Sequence, residues 1–300
     1  MTTFTAYEKI VGLWFLLVLM AVPTFSQRYP SDLPAEAQQQ IDALYAAARM
    51  DVRLGRLGVR EYDPDLLNKM LDHLDNPNVR VPALHLTELV LRHWDMPPEA
   101  LTAIDKKIRL IREKELVRDY VIPIQWQLSL LRSPTRQARV TIAKEGLYSI
   151  WGQIMNWAIE DLVKMGGEEA KRLLREAQKE RERQGLNEHA NRIRLGIKRI
   201  EVNEELARGG NGDQLEYVWS MFEKHVKEKP GWGNFQFVLW LMDKIEAIGT
   251  PDAMWRLKQF YENKANDREY RYAAQEALVR KGEILPGQRQ IVSIHDLRHN

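Results

Sequence analysis

Histidines and acidic side chains are the residues of this chain that could hold a metal ion or move a proton. Its seven histidines are His73, His85, His93, His189, His225, His295 and His299. A helical metal pair needs two ligands three or four residues apart, as in H-E-x-x-H. Among these histidines only His295 and His299 have that spacing, and they lie in the C-terminal tail, outside the predicted helices. His85 and Glu88 are three residues apart, so together with His93 they are the candidates for an enzymatic site built from dispersed residues. The alternative for His85 and Glu88 is a solvated or capping role.

The sequence lacks the usual catalytic signatures. It contains no G-x-S-x-G nucleophile elbow and no glycine loop followed by Lys and Ser or Thr that would bind phosphate. The glycine-rich stretch 209–212 lies between predicted helices, where a helix C-cap and a turn explain it. The chain has no cysteine, which excludes disulfides, thiolate metal sites and a cysteine nucleophile. We therefore predict a protein that is not an enzyme and that carries no metal and no cofactor.

Cationic and aromatic residues provide the candidate partner-binding positions. The charge-dense segment 171–185 carries its own counter-ions at helical spacing and is predicted to be a solvated helix face. The next segment adds Arg192, Lys198 and Arg199, and two such helices side by side would form a basic strip for an anionic partner. Trp232 stands between two glycines in a predicted loop, where an indole could anchor a partner or pack over its own hairpin. The predicted partner-binding residues are therefore Trp232, Arg192, Lys198 and Arg199.

The overall composition is that of a globular protein with balanced charge. The chain has 300 residues, 44% of them hydrophobic, which is enough for one extended domain or two compact ones. Lys and Arg number 44 against 42 Asp and Glu, a net charge of +2. This balance gives no general attraction to nucleic acid or to an anionic membrane, so we expect a protein partner and no nucleic acid.

The N-terminal segment has the pattern of an export signal. Residues 10–22 form an uninterrupted apolar run, shorter than the roughly 20 residues that a bilayer span needs, and prolines and polar residues follow it. Thr24 and Ser26 are small enough for a signal peptidase site, which predicts cleavage after residue 26. The alternatives are an uncleaved membrane anchor over residues 10–25 and a buried N-terminal helix. We predict a periplasmic or extracellular location, with membrane contact only if the segment stays attached.

The rest of the chain has the pattern of helices joined by short turns. Apolar residues recur at helical spacing from residue 35 onward, and Gly, Pro and Asn interrupt them every 12 to 20 residues or so, which predicts about twelve helices. Asp63 is expected to cap a helix that starts at Pro64. Asn78 and Asp119 are the predicted caps of helices that carry Pro82 and Pro123 in their first turns, where a proline sacrifices no hydrogen bond.

Two stretches of the sequence resemble each other around a glycine. Gly166 and Gly249 each have an apolar residue four positions before and an alanine four positions after, and Gly210 fits the pattern more loosely. The three glycines are 44 and 39 residues apart. A period of about 40 to 47 residues with two helices per period is typical of HEAT-type solenoids.

On these residues the chain resembles the HEAT-repeat family. Residues 76–91 resemble the turn and Val-Arg-x-x-Ala-x-x-x-Leu helix of that family, residues 266–282 resemble a second such helix, and the stretch around Gly249 resembles the connection between repeats. The resemblance implies a right-handed α-solenoid of stacked antiparallel helix pairs. Some HEAT-like enzymes bind iron through His-Glu dipeptides, and no such dipeptide occurs in this sequence.

These observations give one predicted organisation and one leading function. Residues 1–26 would be the signal peptide, 27–34 a short linker, 35–282 the HEAT-like repeat domain and 283–300 an extended or disordered tail that could cover the last repeat. The leading prediction is a non-enzymatic, exported scaffold of about five or six helix pairs that presents a helical-repeat surface to a protein partner. The alternatives are an enzyme or enzyme accessory, or the same fold tethered to a membrane.

Overall fold

Helices are the regular secondary structure of the described part of the chain. The computed structural model describes residues 33–50, 58–59, 61–209, 211–228, 232–285, 288–289 and 291. Within these residues there is no strand, and thirteen helices follow one another: α1 (Ala35–Ala47), α2 (Pro64–His73), α3 (Arg80–His93), α4 (Pro98–Ile108), α5 (Lys114–Leu116, Val117–Val121 and Ile122–Leu131 in succession), α6 (Arg136–Leu147), α7 (Gly152–Met165), α8 (Gly167–Arg183), α9 (Asn187–Arg208), α10 (Asn211–Val226), α11 (Trp232–Ile248), α12 (Pro251–Glu262) and α13 (Arg268–Arg280). The predicted all-α class and helix number are confirmed.

The predicted signal sequence, residues 1–26, and most of the predicted linker lie outside the described residues. Among the helices that are described, none combines the length and the apolar character needed to cross a bilayer.

One predicted helix cap is confirmed and two are wrong. The Asp63 carboxylate accepts hydrogen bonds from the N–H groups of Asp65 and Leu66, both at 3.0 Å, and Pro64 begins α2. Asn78 is not the cap of α3, because its N–H is held by the side chain of Asn76 at 3.1 Å and the helix begins only at Arg80.

Pro82 still lies in the first turn of α3, as predicted, but Pro123 lies inside α5. Helix α5 begins at Lys114, and its residues Val117–Val121 form a π-helical turn just before the proline. A proline inside a regular helix removes one hydrogen bond and clashes with the carbonyl four residues earlier, here that of Asp119. The wider turn replaces the regular pairing at this point, so Asp119 is part of the helix and not its cap.

The helices group into two compact units, one up to Ile124 and one from Gln125 onward. The predicted repeat domain, residues 35–282, includes helices of both. In the first unit α1 packs on α2, α2 packs on α3, and α3 contacts the π-helical turn of α5.

The second unit consists of four helical hairpins, α6/α7, α8/α9, α10/α11 and α12/α13. Charged pairs show that the two helices of a hairpin run in opposite directions. Arg139 near the start of α6 pairs with Asp161 near the end of α7, and Lys171 near the start of α8 pairs with Glu204 near the end of α9 at 2.8 Å.

The second helices of the hairpins pack side by side in the order α7, α9, α11 and α13. Each pair of neighbouring helices has contacts at two points along its length: Asn156 with Arg192 and Glu160 with Arg199 between α7 and α9, Gly233 with Arg192 and Trp240 with Arg199 between α9 and α11, and Phe235 with Tyr270 and Glu246 with Arg280 between α11 and α13. Because residues advance together on neighbouring helices, the second helices run parallel to one another.

The glycine pattern found in the sequence marks the junctions between hairpins. Gly166 joins α7 to α8 with φ of 61°, and Gly249 joins α11 to α12 with φ of 63°. This left-handed region is unfavourable for residues with a Cβ atom, so a glycine ends one hairpin and lets the chain turn sharply into the next.

We expect Gly166→Ala to lower the free energy of unfolding by about 1–3 kcal/mol, because it forces alanine into this backbone region. A Cβ at Gly166 would meet no atom within 4 Å, so the loss would come from the backbone alone. Gly152→Ala is the matched control, since Gly152 begins α7 without a positive φ and a Cβ there also meets nothing within 4 Å. Urea titrations of the two variants should differ, and equal midpoints would contradict this explanation.

Two described residues of the predicted tail, Arg289 and Ile291, are bound to the last helix. Gln275 of α13 is fully buried, and its side-chain amide forms two hydrogen bonds with the backbone of Ile291, donating to the carbonyl at 2.8 Å and accepting from the N–H at 2.9 Å. Arg289 forms an ion pair with Glu276 at 2.9 Å. Described residues of the tail thus lie against the end of the second unit.

Gln275→Ala should loosen this attachment, because the N–H and carbonyl of Ile291 would lose both protein partners. We expect a loss of roughly 1–3 kcal/mol in stability and faster hydrogen exchange at the Ile291 amide. Gln259→Ala, on the exposed side of α12, is the control and should leave both unchanged. Unaltered exchange at Ile291 in the Gln275 variant would show that the amide does not hold the tail.

Candidate functional site

The candidate site lies on the second helices of the second unit and is centred on Arg199. On α9 the apolar residues Ile193, Ile197 and Ile200 are buried in the core formed with α6, α7 and α8. Arg199 lies on another side of the helix, where its guanidinium forms a two-pronged ion pair with Glu160 of α7, one pair of atoms being 2.8 Å apart. The Arg199 side chain is 16% exposed and that of Glu160 is 32% exposed.

Trp240 and Lys244 of α11 complete the site. The guanidinium carbon of Arg199 lies 5.1 Å from the centroid of the Trp240 ring, and the ammonium of Lys244 lies at the same distance from that ring. An indole attracts cations to its face through its quadrupole. We call Glu160, Arg199, Trp240 and Lys244 the cation–tryptophan cluster.

The ammonium of Lys244 is partly desolvated and lies near the positive charge of Arg199. Burial lowers the pKa of the Lys244 ammonium, and the positive charge of Arg199 lowers it further, whereas Asp243 acts in the opposite direction. Lys244 has no hydrogen-bond acceptor and no ion-pair partner within the described residues.

Buried residues beneath the cluster hold the indole in place. Trp240 stacks on Phe237, with ring centroids 5.8 Å apart, and Phe237 meets the His225 ring edge-on at 4.7 Å. Asn234 donates to the His225 carbonyl at 2.8 Å, so its amide oxygen faces Nδ1 of His225 at 3.0 Å. Nδ1 must therefore donate, and the neutral ring carries its proton there.

The structure brings together two of the four predicted partner-binding residues. Arg192 and Arg199 are seven residues apart on α9 and so lie on one face, and each contacts a polar residue of α7, Asn156 in the case of Arg192. Lys198 is turned by about 100° from Arg199, and its positive charge acts on His225 of α10.

Trp232 is the first residue of α11. The prediction that it lies in a loop is therefore wrong. The two flanking glycines predict a turn, whereas Gly233 is a helical residue that packs closely against α9: a Cβ there would lie 3.1 Å from Cγ of Arg192.

Trp240 and Lys244 were missed by the sequence reasoning. Residues 235–245 are apolar nearly all round, a pattern that predicts a helix enclosed by others and so places Trp240 in the core. The available signal is the spacing of Gln236, Trp240 and Lys244, which are one turn apart and, together with Phe235 and Asp243, are the residues of this stretch that are not buried.

The candidate enzymatic residues do not form one site. His85 Nδ1 lies 3.8 Å from a carboxylate oxygen of Glu88. Glu88 is buried, with 3% of its surface exposed. His93 lies on the exposed side of the same helix, α3. Within the described residues no three His, Asp or Glu side chains are grouped so that they could hold a metal ion.

Comparison with known proteins gives no match, either to any protein-family model or to any curated protein. The resemblance to HEAT repeats therefore stays a prediction.

The buried histidine beneath the cluster makes stability depend on pH. Burial is the main cause that lowers the pKa of His225 below its usual 6.5, and the positive charge of Lys198 lowers it further. The hydrogen bond to Asn234 and the negative charge of Glu228 raise this pKa, but by less. The unfolded chain therefore binds this proton more readily than the folded chain. The resulting stabilisation is present above the unfolded-state pKa of about 6.5 and is lost as the pH falls through the lowered pKa of the folded state.

We expect the urea midpoint to fall between about pH 7.5 and pH 5, and His225→Gln to flatten that dependence. His189→Gln is a second test, because burial also lowers the pKa of His189. A His225→Gln protein that folds and keeps the full pH dependence of the native protein would contradict the assignment.

Proposed function

We propose that this protein is a non-enzymatic, exported scaffold with a HEAT-like α-solenoid fold, and that it holds a protein partner on the face formed by its parallel second helices. The observation that carries the proposal is the parallel packing of α7, α9, α11 and α13. An array of this kind offers a continuous surface on which a partner can contact several repeats at once.

The residues along this face support a binding role. On α7 the partly exposed residues Gln153, Asn156 and Glu160 and the exposed Lys164 recur about one turn apart and form a polar stripe on a helix that is largely buried. The neighbouring helices add Arg199 and Trp240, residue types that are enriched in the energetically important parts of protein interfaces. The side chains on the stripe differ from helix to helix, as a specific binding surface requires.

The proposed location rests on the sequence of the N-terminal segment. The apolar run 10–22 and the small residues Thr24 and Ser26 support a cleaved export signal. The mass of the N-terminal peptide of the native protein tests this, because a start at Gln27 supports export with cleavage, whereas an intact run supports the tethered form.

The partner should contact the second helices and not the first ones. After amine crosslinking of the native envelope fraction and purification through a C-terminal tag, we expect partner crosslinks at Lys164 and Lys244. Lysines on the first helices, Lys144, Lys179 and Lys258, provide the internal comparison. Crosslinks confined to the first helices, or no stoichiometric partner in a folded preparation, would refute the proposal.

A further inference from the structure

We infer that the cation–tryptophan cluster binds a side-chain carboxylate from an acidic segment of the partner protein, with Lys244 as the main anchor. This inference rests on the proposed function, since it specifies the chemistry of the partner at one point of the second-helix face.

The first argument is the unused bonding capacity of Lys244. An ammonium group carries three N–H donors, and within the described residues none of them has an acceptor. Arg199 differs, because Glu160 already occupies its guanidinium with two hydrogen bonds. Lys244 has no carboxylate partner of the kind that Glu160 provides for Arg199. A carboxylate of the partner protein would provide one.

The second argument is that the ammonium is positioned before a partner arrives. Lys244 is held over the Trp240 ring, and that ring is fixed by stacking on the buried Phe237. A flexible surface lysine must be ordered when it forms an ion pair, and the loss of side-chain entropy cancels most of the gain. Lys244 is already ordered and half-buried, so a carboxylate that reaches it forms a charge-assisted hydrogen bond in a place where water screens it less.

The third argument distinguishes a carboxylate from a nucleic acid or a lipid surface. The positive charges of the cluster are interspersed with the negative charges of Glu160 and Asp243. A continuous row of phosphates would place negative charge against these carboxylates, whereas a protein segment with separated acidic side chains can place one on Lys244 and neutral residues beside it. The chain's net charge of +2 gives no general attraction to polyanions.

The test is a fluorescence anisotropy titration of the full-length protein with a labelled peptide of repeated Glu-Ser-Ala, at low ionic strength. The same peptide with Gln in place of Glu is the uncharged ligand control. We expect binding of the Glu peptide that weakens as salt is added, and no binding of the Gln peptide. Lys244→Gln should weaken binding about five- to ten-fold, whereas Lys244→Arg, which keeps the charge, should stay within about three-fold of the native protein.

Lys258→Gln is the matched control, because Lys258 is an exposed lysine on the first helix α12 and its loss should leave binding unchanged. Each variant is checked for native thermal unfolding before titration. Equal affinity of the native protein and a folded Lys244→Gln variant would overturn the inference. So would failure of the native protein to bind the Glu peptide, including a result in which vesicles of anionic phospholipid or single-stranded DNA bind instead.

The two proposals fail in different ways. A partner that crosslinks to the second helices, together with no binding of the Glu peptide, leaves the scaffold proposal standing and removes the acidic contact. Absence of any crosslinked partner removes the scaffold proposal itself.

Discussion

The second unit depends on burying the second helix of each hairpin on several sides at once. Helix α11 shows this most clearly, because nearly every apolar residue of its central part is at most 2% exposed: Phe237, Val238, Leu239, Leu241, Met242 and Ile245. Burial of one such side chain stabilises the fold by about 1.5–3 kcal/mol. Its own first helix, α10, can cover only one side, so the neighbouring helices α9 and α13 are needed for the rest. The side-by-side arrangement follows from this requirement.

Close approach of the second helices restricts what their contacting surfaces can carry. Gly196 faces Ile159 so closely that an added Cβ would lie 2.5 Å from Cγ2 of the isoleucine. Polar groups at these contacts are paired across the helices, as Glu160 is with Arg199 and Glu246 is with Arg280 at 2.6 Å. Such pairs contribute little net stability when they are partly exposed, but they favour one register of neighbouring helices over another.

The cation–tryptophan cluster is a consequence of that register. Arg199 is fixed by Glu160 on one side and meets Trp240 on the other, so three successive second helices contribute to one set of contacts. Lys244 shares the indole but has no counter-ion of its own within the described residues. The same packing that stabilises the array therefore leaves one ordered cation at its surface.

The sequence by itself determined the helices and the junctions between hairpins, because these depend on local chemistry. Each of these features sets the conformation of only the few residues around it. They are the helical spacing of apolar residues, the Asp63 cap and the glycine pattern at Gly166 and Gly249. Local reasoning failed where a distant contact decides the conformation. Residues 232–233 are helical, and Gly233 packs closely against Arg192 of α9, a contact that the local pattern of the sequence does not show.

The site depended still more on the tertiary structure. Lys171 and Arg181 were predicted to lie on a solvated face, yet both are 6% exposed: Lys171 pairs with Glu204 of α9, and Arg181 donates to the carbonyls of Leu147 and Ser149. Arg199 was identified from the sequence, but its partners Glu160 and Trp240 are 39 and 41 residues away. Sequence periodicity shows which side of a helix is polar. Only the packing of neighbouring helices decides which charges are buried and which find a counter-ion on another helix, because that depends on distances between residues far apart in the chain.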